Sequence, residues 1–237
     1  MSSSVKISNS ENKIEINGFV HKRYNSLGVD QAEMLSRSQN FFDKMNVRRS
    51  IREFSDREVS REIIENIIRT ASSAPSGAHK QPWTFCAVSN PLIKSKIRKA
   101  AELEEKENYE KRMSERWKED LLTFGTDANK PFLEKAPWLI IAFKKAYEMD
   151  EKGSKQNNYY VNESVGIACG MLITAIHNAG LVTLTHTPSP MNFLTTVLNR
   201  PANERAFLLL PVGYPEDPCY VPDIERKGLS EVSEFYE

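Results

Sequence analysis

Apolar residues recur at helical spacing along several stretches of the chain. Loose spacing predicts a helix over about 29–45, and a strict stripe of isoleucines predicts a second helix after Ser60, a suitable N-cap. Pro91 is placed to open a third helix. Residues 163–179 are apolar on nearly all sides, which predicts a buried central helix that stops at Gly180.

Short runs of apolar and β-branched residues alternate with these helices. Four runs predict strands: Trp83–Val88, Trp138–Phe143, Leu181–Thr187 and Phe207–Val212. A short helix over 191–199 separates the last two. Strands that alternate with helices predict the α+β class, with one mixed central sheet layered with helices.

Three segments depart from this pattern. Residues 1–27 are rich in Ser and Asn with little periodicity, so we expect a flexible arm before a domain over 28–237. In residues 102–120, 13 of 19 are charged, and a narrow apolar stripe predicts a helix that covers something, within a lid over about 102–130. The tail from about 213 to 237 holds three prolines, so we expect it to wrap along another surface.

Composition and charge exclude several classes of function. Lys plus Arg and Asp plus Glu are each 32, and a net charge of zero argues against bulk nucleic-acid binding and a polybasic membrane surface. The three cysteines form no C-x-x-C, and no secretory signal or membrane span is evident, so we expect a soluble, cytoplasmic protein. Four scattered histidines predict no metal site. No G-x-G-x-x-G, Walker or G-x-S-x-G motif occurs.

Three clusters could carry chemistry, and each has a plainer interpretation. Guanidiniums at Arg48, Arg49 and Arg52 could grip a phosphate with help from Arg226, or could form an exposed basic turn. The small side chains of Ser72–His79 would let a flat ring approach the backbone, or the segment is an ordinary loop. Alternate residues of a strand face the same side, so the hydroxyls of Thr183, Thr185 and Thr187 would form one polar row. The plainer interpretation is a strand face that points to solvent.

The order of four motifs resembles the FMN-dependent nitroreductase superfamily, and within it the branch that dehalogenates halotyrosines. The motifs are Arg-Arg-Ser-Ile-Arg over 48–52, Ala-Pro-Ser-Gly-Ala-His over 74–79, the glycine-containing helix and Leu-Pro-Val-Gly-Tyr-Pro over 210–215. The resemblance runs from about residue 45 to 230. It implies an intertwined homodimer with two FMN sites at the interface, each built from both subunits, and a tail that wraps the partner.

By this resemblance, three segments and the tail arginine would bind FMN. The phosphate and ribityl contacts would be Arg48, Arg49, Ser50 and Arg52. The loop under the flavin ring would present Pro75 and Ser76, and the strand end beside the flavin would present Thr185, His186 and Thr187. Arg226 would return to the phosphate.

The resemblance also implies how the substrate is held. Glu105 would take the ammonium of an amino acid, Lys130 its carboxylate and Tyr109 a directional hydrogen bond, although a solvated charged helix would show the same spacing. The backbone N–H of Ala78 would hold the phenolate oxygen above the flavin. The Thr187 hydroxyl would lie near flavin N5 and favour one-electron steps. One departure is Ala128, where the family has Trp.

The implied activity is the reductive conversion of 3-iodo-L-tyrosine to L-tyrosine and iodide, with electrons that come ultimately from NAD(P)H through a separate reductase. One alternative is a general nitroreductase or quinone reductase that works by hydride transfer. Another is a flavin-binding protein with a degenerate site. The zwitterion-binding trio favours the first, since a nitroarene offers no zwitterion to grip.

Overall fold

The computed structural model describes residues 5–7 and 12–237, and the chain divides into two compact units, residues 1–43 and 44–237. The first unit contains a three-stranded antiparallel sheet and most of helix α1. Its elements are β1 (Val5–Ile7), β2 (Lys13–Ile16), β3 (Phe19–Lys22) and α1 (Gln31–Asn46), which crosses the division between the units.

The strands of this sheet lie within residues 1–27, the segment for which the sequence predicts a flexible arm. The structure shows regular strands there at 5–7, 13–16 and 19–22, which the sequence pattern did not predict, and the rest of segment 1–11 lies outside the described residues. Asn17 and Gly18 close the β2–β3 hairpin with φ of 52° and 83°, the left-handed pair that a type I′ turn requires. The residues of β2 and β3 are mostly exposed, so no apolar run marks these two strands in the sequence.

The second unit contains the remaining elements. Its helices α2–α8 are Arg61–Ser72, Pro91–Glu107, Glu115–Leu122, Phe132–Lys135, Val161–Asn178, Asn192–Val197 and Leu229–Val232. Its strands β4–β9 are Trp83–Val88, Trp138–Lys145, Tyr147–Met149, Lys155–Asn157, Val182–Thr183 and Glu204–Gly213. The predicted strands and helices are therefore present, with shifted ends and with one strand, β8, cut to two residues.

The central sheet has the order β4-β5-β9-β8, and each neighbouring pair is antiparallel. The predicted mixed sheet is wrong for these strands: the parallel pairing found in the described residues is an isolated bridge between Ser50 and Thr183. The connections between these strands contain helices α3–α5, the β6–β7 hairpin with α6, and α7, and each strand runs in the direction opposite to that of its neighbour in the sheet.

Helices cover both faces of this sheet. Ile140 and Ala142 of β5 pack with α2 and α6, whereas Leu139 and Ile141 pack with α3 and α7 on the other face. Successive side chains of a strand point to opposite faces, so a strand covered on both sides has a continuous apolar sequence. The expected sheet layered with helices is present.

Helix α6 is buried on one side only. Val165, Ala168 and Leu172 are fully buried, but Ile167 is 48% exposed, and a Cβ placed on Gly166 or Gly170 would meet no atom within 4 Å. The prediction of a helix surrounded by neighbours is therefore wrong within this chain, because the sheet and α2 cover only one of its faces.

The charged lid segment is not a single helix. Helix α3 continues to Glu107, a π-helical turn follows over Asn108–Arg112, and α4 begins after Ser114, whose hydroxyl oxygen accepts a hydrogen bond from the Trp117 N–H at 3.3 Å. Because a helix begins at its N-cap, Ser114 starts α4 as a helix separate from the preceding π-helical turn. No helix in the described part of the chain is long and apolar enough to cross a membrane.

Candidate active site

The arginine-rich segment that follows α1 lies beside strand β8. Ser50 bridges Thr183 in parallel, and the Ile51 N–H donates to the Thr183 carbonyl at 3.1 Å. The Ile51 side chain is buried, which fixes the segment against the sheet and leaves its polar neighbours to line a cavity. Arg226 joins them from the tail by donating to the carbonyls of Asn46 and Arg48, each at 2.8 Å.

This first cavity carries excess positive charge. It is lined by the four arginines of the predicted phosphate site: Arg48, Arg49, Arg52 and Arg226. Glu225 also lines it, but none of the four arginines forms an ion pair within the described residues. Burial and the charges of Arg226 and Arg49 lower the pKa of Arg48, as expected where no anion compensates the charge. The cavity therefore favours an anion.

A second cavity of about 330 Å³ lies under the lid, a volume that suits a small ligand. Arg52 lines both cavities, so the two adjoin. The second cavity is lined by the predicted lid trio and the predicted strand end: Glu105, Tyr109, Lys130, Thr185, His186 and Thr187. Arg52 and Thr187, which are 135 positions apart in sequence, thus line one cavity.

Two opposite charges are buried in the second cavity but are only weakly paired. Glu105 is 8% exposed and Lys130 is 4% exposed, and their charged atoms, Oε2 and Nζ, are 3.9 Å apart. Burial raises the pKa of Glu105 and lowers that of Lys130, and each charge offsets only part of the effect on the other. A ligand that carries both an ammonium and a carboxylate would compensate both groups.

The turn before Lys130 completes the wall of this cavity. Lys130 Nζ donates to Thr126 Oγ1 at 3.0 Å and to the Asp127 carbonyl, and the Tyr109 hydroxyl donates to the Thr126 carbonyl at 3.0 Å. Burial is the main cause that raises the Tyr109 pKa, with Glu105 adding to it, so the phenol stays protonated. Thr126 was not predicted, since a lone threonine in a polar turn gives no sequence signal.

Arg112 and Trp117 are two further lining residues that the sequence did not single out. Arg112 Nη1 donates to the Ser189 carbonyl at 3.1 Å and therefore ties the lid to the strand-end loop. Both lie in the charged segment over 102–120, where Arg112 is one of many charged residues and Trp117 belongs to the narrow apolar stripe. Ala128, the departure from the family pattern, is half-buried and does not line the cavity.

The predicted row of threonine hydroxyls is shortened. Strand β8 ends at Thr183, and pairing resumes in the same register only where His186 and Leu209 exchange two backbone hydrogen bonds. Thr185 and Thr187 are exposed, but Thr183 is 5% exposed because the Ser50 segment pairs alongside it. The predictions of one row of three threonine hydroxyls and of a strand that reaches residue 187 are therefore wrong.

His186 has a polar atom that finds no partner. The side chain is 6% exposed, its ring stands edge-on to Phe132 at 5.5 Å, and Nε2 is buried without a hydrogen bond in the described residues. Burial, with smaller effects from Lys130 and Arg52, lowers its pKa to about 3. A neutral imidazole with an unused nitrogen at a cavity wall fits a polar ligand there.

The loop with Pro75, Ser76 and Ala78 lies beside the opposite edge of the central sheet. It precedes edge strand β4, whereas Ser50 pairs with β8 at the other edge, and none of the three residues lines either cavity. Ala78 has a φ of 49°, a left-handed conformation that is strained for alanine. A Cβ on Gly77 would lie 2.9 Å from the Tyr160 ring and 3.1 Å from the Tyr159 carbonyl oxygen, so a larger residue there would have to displace its neighbours.

Residues 45–214 match the model of the nitroreductase family, and the chain belongs to that family. The similarity within it is to iodotyrosine deiodinases. The chain is 59% identical over 213 residues to that of Haliscomenobacter hydrossis, which covers 90% of this chain and 96% of the relative. It is 46% identical over 224 residues to the human iodotyrosine deiodinase 1, an alignment that covers 94% of this chain and 76% of the human protein. The family resemblance predicted from the sequence is confirmed.

Solved structures agree with this assignment. An oxidized iodotyrosine deiodinase bound to FMN and 3-iodo-L-tyrosine superposes with a TM-score of 0.73 at 30% identity, covering 83% of this chain and 99% of that chain. A nitroreductase with bound FMN from Bacteroides fragilis superposes with a TM-score of 0.62 at 16% identity, covering 83% of this chain and 98% of that chain. It shares the fold. The nitroreductase-like α+β fold is confirmed.

Proposed function

We propose that this protein is an FMN-dependent dehalogenase that reduces 3-iodo-L-tyrosine to L-tyrosine and iodide. One observation carries the proposal: a buried carboxylate and a buried ammonium, Glu105 and Lys130, face one cavity that adjoins the arginine-lined cavity. Such a pair fits an amino acid zwitterion beside a phosphorylated cofactor. The iodotyrosine deiodinase relatives support the same reaction.

The residues present fit FMN. Arg48, Arg49, Arg52 and Arg226, whose guanidiniums form no ion pair in the described residues, would hold the phosphate and ribityl groups together with the Ser50 hydroxyl. Thr185, Thr187 and the unused His186 Nε2 would meet the polar edge of the flavin ring. Bound FMN would supply the two electrons that, with one proton, replace the carbon–iodine bond by a carbon–hydrogen bond.

The lid would bind the substrate and exclude water. Glu105 would accept from the ammonium, Lys130 would donate to the carboxylate, and the Tyr109 hydroxyl, which now donates to Thr126, would add a directional contact. Arg112 would hold the lid against the strand-end loop through Ser189. A general nitroreductase needs none of these buried charges.

A second copy of the chain would complete the site. Pro75, Ser76 and Ala78 lie at the sheet edge opposite the Ser50 segment, so the same subunit does not bring them to the cavities. In a homodimer the partner would supply this loop, and the strained backbone at Ala78 would present its N–H to the phenolate oxygen. The exposed face of α6 would form part of the interface, and the tail over 213–237 would wrap the partner.

The electrons would come from NAD(P)H through a separate reductase, because the lid cavity is shaped and charged for an amino acid. All three cysteines, Cys86, Cys169 and Cys219, are free thiols, which fits a reducing compartment such as the cytoplasm.

Anaerobic titration of the dithionite-reduced, FMN-loaded protein with 3-iodo-L-tyrosine tests the proposal. We expect stoichiometric release of iodide and L-tyrosine, measured by an iodide-selective electrode and by chromatography. Rapid turnover of nitroarenes with no reaction of iodotyrosine would refute the proposal and favour the general nitroreductase.

A further inference from the structure

One face of helix α3 carries four charged residues that point toward the segment over 129–136, which contains Lys130. Lys94, Arg98, Glu102 and Glu105 follow at intervals of four, four and three residues, which places them on one face of the helix. Glu105 reaches the second cavity, whereas the other three contact the segment that carries Lys130.

Arg98 is the centre of these contacts. Its guanidinium donates to Glu102 Oε1 at 2.7 Å, to Glu134 Oε2 at 2.8 Å and to Asn129 Oδ1 at 2.9 Å. Hydrogen bonds and charge interactions with the two carboxylates, Glu102 and Glu134, raise the pKa of Arg98. A planar guanidinium that bonds three acceptors at once fixes their relative positions, which a lysine ammonium on a flexible stem does less well.

Glu102 links this hub to Lys130 directly. The same Oε1 that accepts from Arg98 also accepts from the Lys130 backbone N–H at 2.8 Å. On the far side of the segment, Lys94 is buried and its Nζ donates to the carbonyls of Glu134 and Ala136, each at 2.8 Å. Residues 129–136 are thus held to α3 at both ends.

We propose that Arg98 is a positioning residue, which sets the distance between the buried charges of Glu105 and Lys130 through Glu102 and Asn129. Both charged groups depend on α3, one as part of the helix and one through the Arg98 hub. A clamp for a zwitterion works only when the ammonium and carboxylate contacts have the spacing of the ligand. The inference rests on the proposed function, because it assigns Arg98 to the amino acid end of that substrate.

The test compares two ligands that share the iodophenol ring. Dissociation constants of 3-iodo-L-tyrosine and 2-iodophenol are measured on the FMN-loaded protein by quenching of flavin fluorescence. We expect Arg98→Gln to weaken iodotyrosine binding about tenfold, the scale of one lost charged hydrogen bond, and to leave iodophenol binding nearly unchanged. Arg61→Gln breaks the exposed pair of Arg61 with Glu65 on α2 and is the matched control, with no effect on either ligand.

Each outcome bears on one claim. If Arg98→Gln weakens both ligands equally, or neither, Arg98 is merely structural or idle and the inference is wrong. If that variant does not fold, Asn129→Ala removes one of the three acceptors and should lower the ratio of iodotyrosine to iodophenol affinity by a smaller factor; an unchanged ratio then overturns the inference. A wild-type protein that neither binds nor dehalogenates iodotyrosine contradicts the proposed function itself.

Discussion

Glu105 and Lys130 are both buried, yet 3.9 Å separates their charged atoms and no other side-chain carboxylate in the described residues pairs with Lys130. Burial without close pairing costs free energy, and a bound zwitterion would recover part of it. The proposed zwitterionic ligand would therefore account for these two charges, which lack the close pairing of a stabilising ion pair.

Replacing one of these charges tests the explanation. Glu105→Gln should weaken binding of 3-iodo-L-tyrosine about tenfold or more, because a neutral amide loses the charge-assisted bond to the ammonium. FMN content, read from the absorbance spectrum, should not change, and Lys130→Ala should behave in the same way. Glu110→Gln, an exposed residue on the next helical turn, is the control. Loss of FMN from Glu105→Gln would instead place this residue in the cofactor site.

His186 predicts a pH dependence of stability. Its pKa is about 3 in the folded protein and about 6.5 in the unfolded chain, so between these values the unfolded state binds more protons. The contribution of His186 is fully present above pH 6.5 and is lost as the pH falls toward 3, by about 1.4 kcal/mol per pH unit at most. The difference in unfolding free energy between wild type and His186→Gln, from urea denaturation at several pH values, should shrink on acidification. A difference that is constant with pH would show that His186 is not buried in its neutral form.

At the scale of elements, the lid depends on the start of α4. Ser114 caps this helix through its side chain, whereas Ser60, the N-cap that the sequence predicts for α2, precedes that helix without a side-chain hydrogen bond. Ser114→Ala should destabilise α4 by about 1 kcal/mol, raise the rate of tryptic cleavage within the lid and weaken iodotyrosine binding severalfold. Ser60→Ala should change neither. Equal effects of the two substitutions would mean that the cap does not control the lid.

At the scale of the whole molecule, we propose that a second chain completes the site. Ile167→Glu puts a charge on the exposed apolar face of α6, so we expect a monomer by light scattering and loss of FMN, since the 75–78 loop of the partner is lost with the interface. Leu92→Glu, at an exposed leucine on α3, is the control and should remain dimeric. An Ile167→Glu protein that stays dimeric would remove α6 from the interface, and a monomeric one that retains FMN would show that one chain suffices.

The sequence by itself determined the layered α+β class, because strands covered on both faces need continuous apolar runs and amphipathic helices need stripes. Local spacing also indicated the arginine segment, and the family resemblance indicated the Glu105–Tyr109 pair. The hairpin over 13–22 was not predicted because exposed strands carry no apolar run. The break at Ser114 was not predicted because the helical pattern of the sequence continues across this N-cap.

Only the tertiary structure decided which of these residues meet. It joined Arg226 to Arg48, placed the Lys130 ammonium 3.9 Å from the Glu105 carboxylate and buried Thr183. Among the described residues it also left His186 Nε2 without a hydrogen-bond partner. It also put the Ala78 loop at the opposite edge of the sheet from Ser50. Such placements depend on sheet order and long-range packing, which join residues far apart in sequence, whereas periodicity and spacing report only what lies within a few turns of the chain.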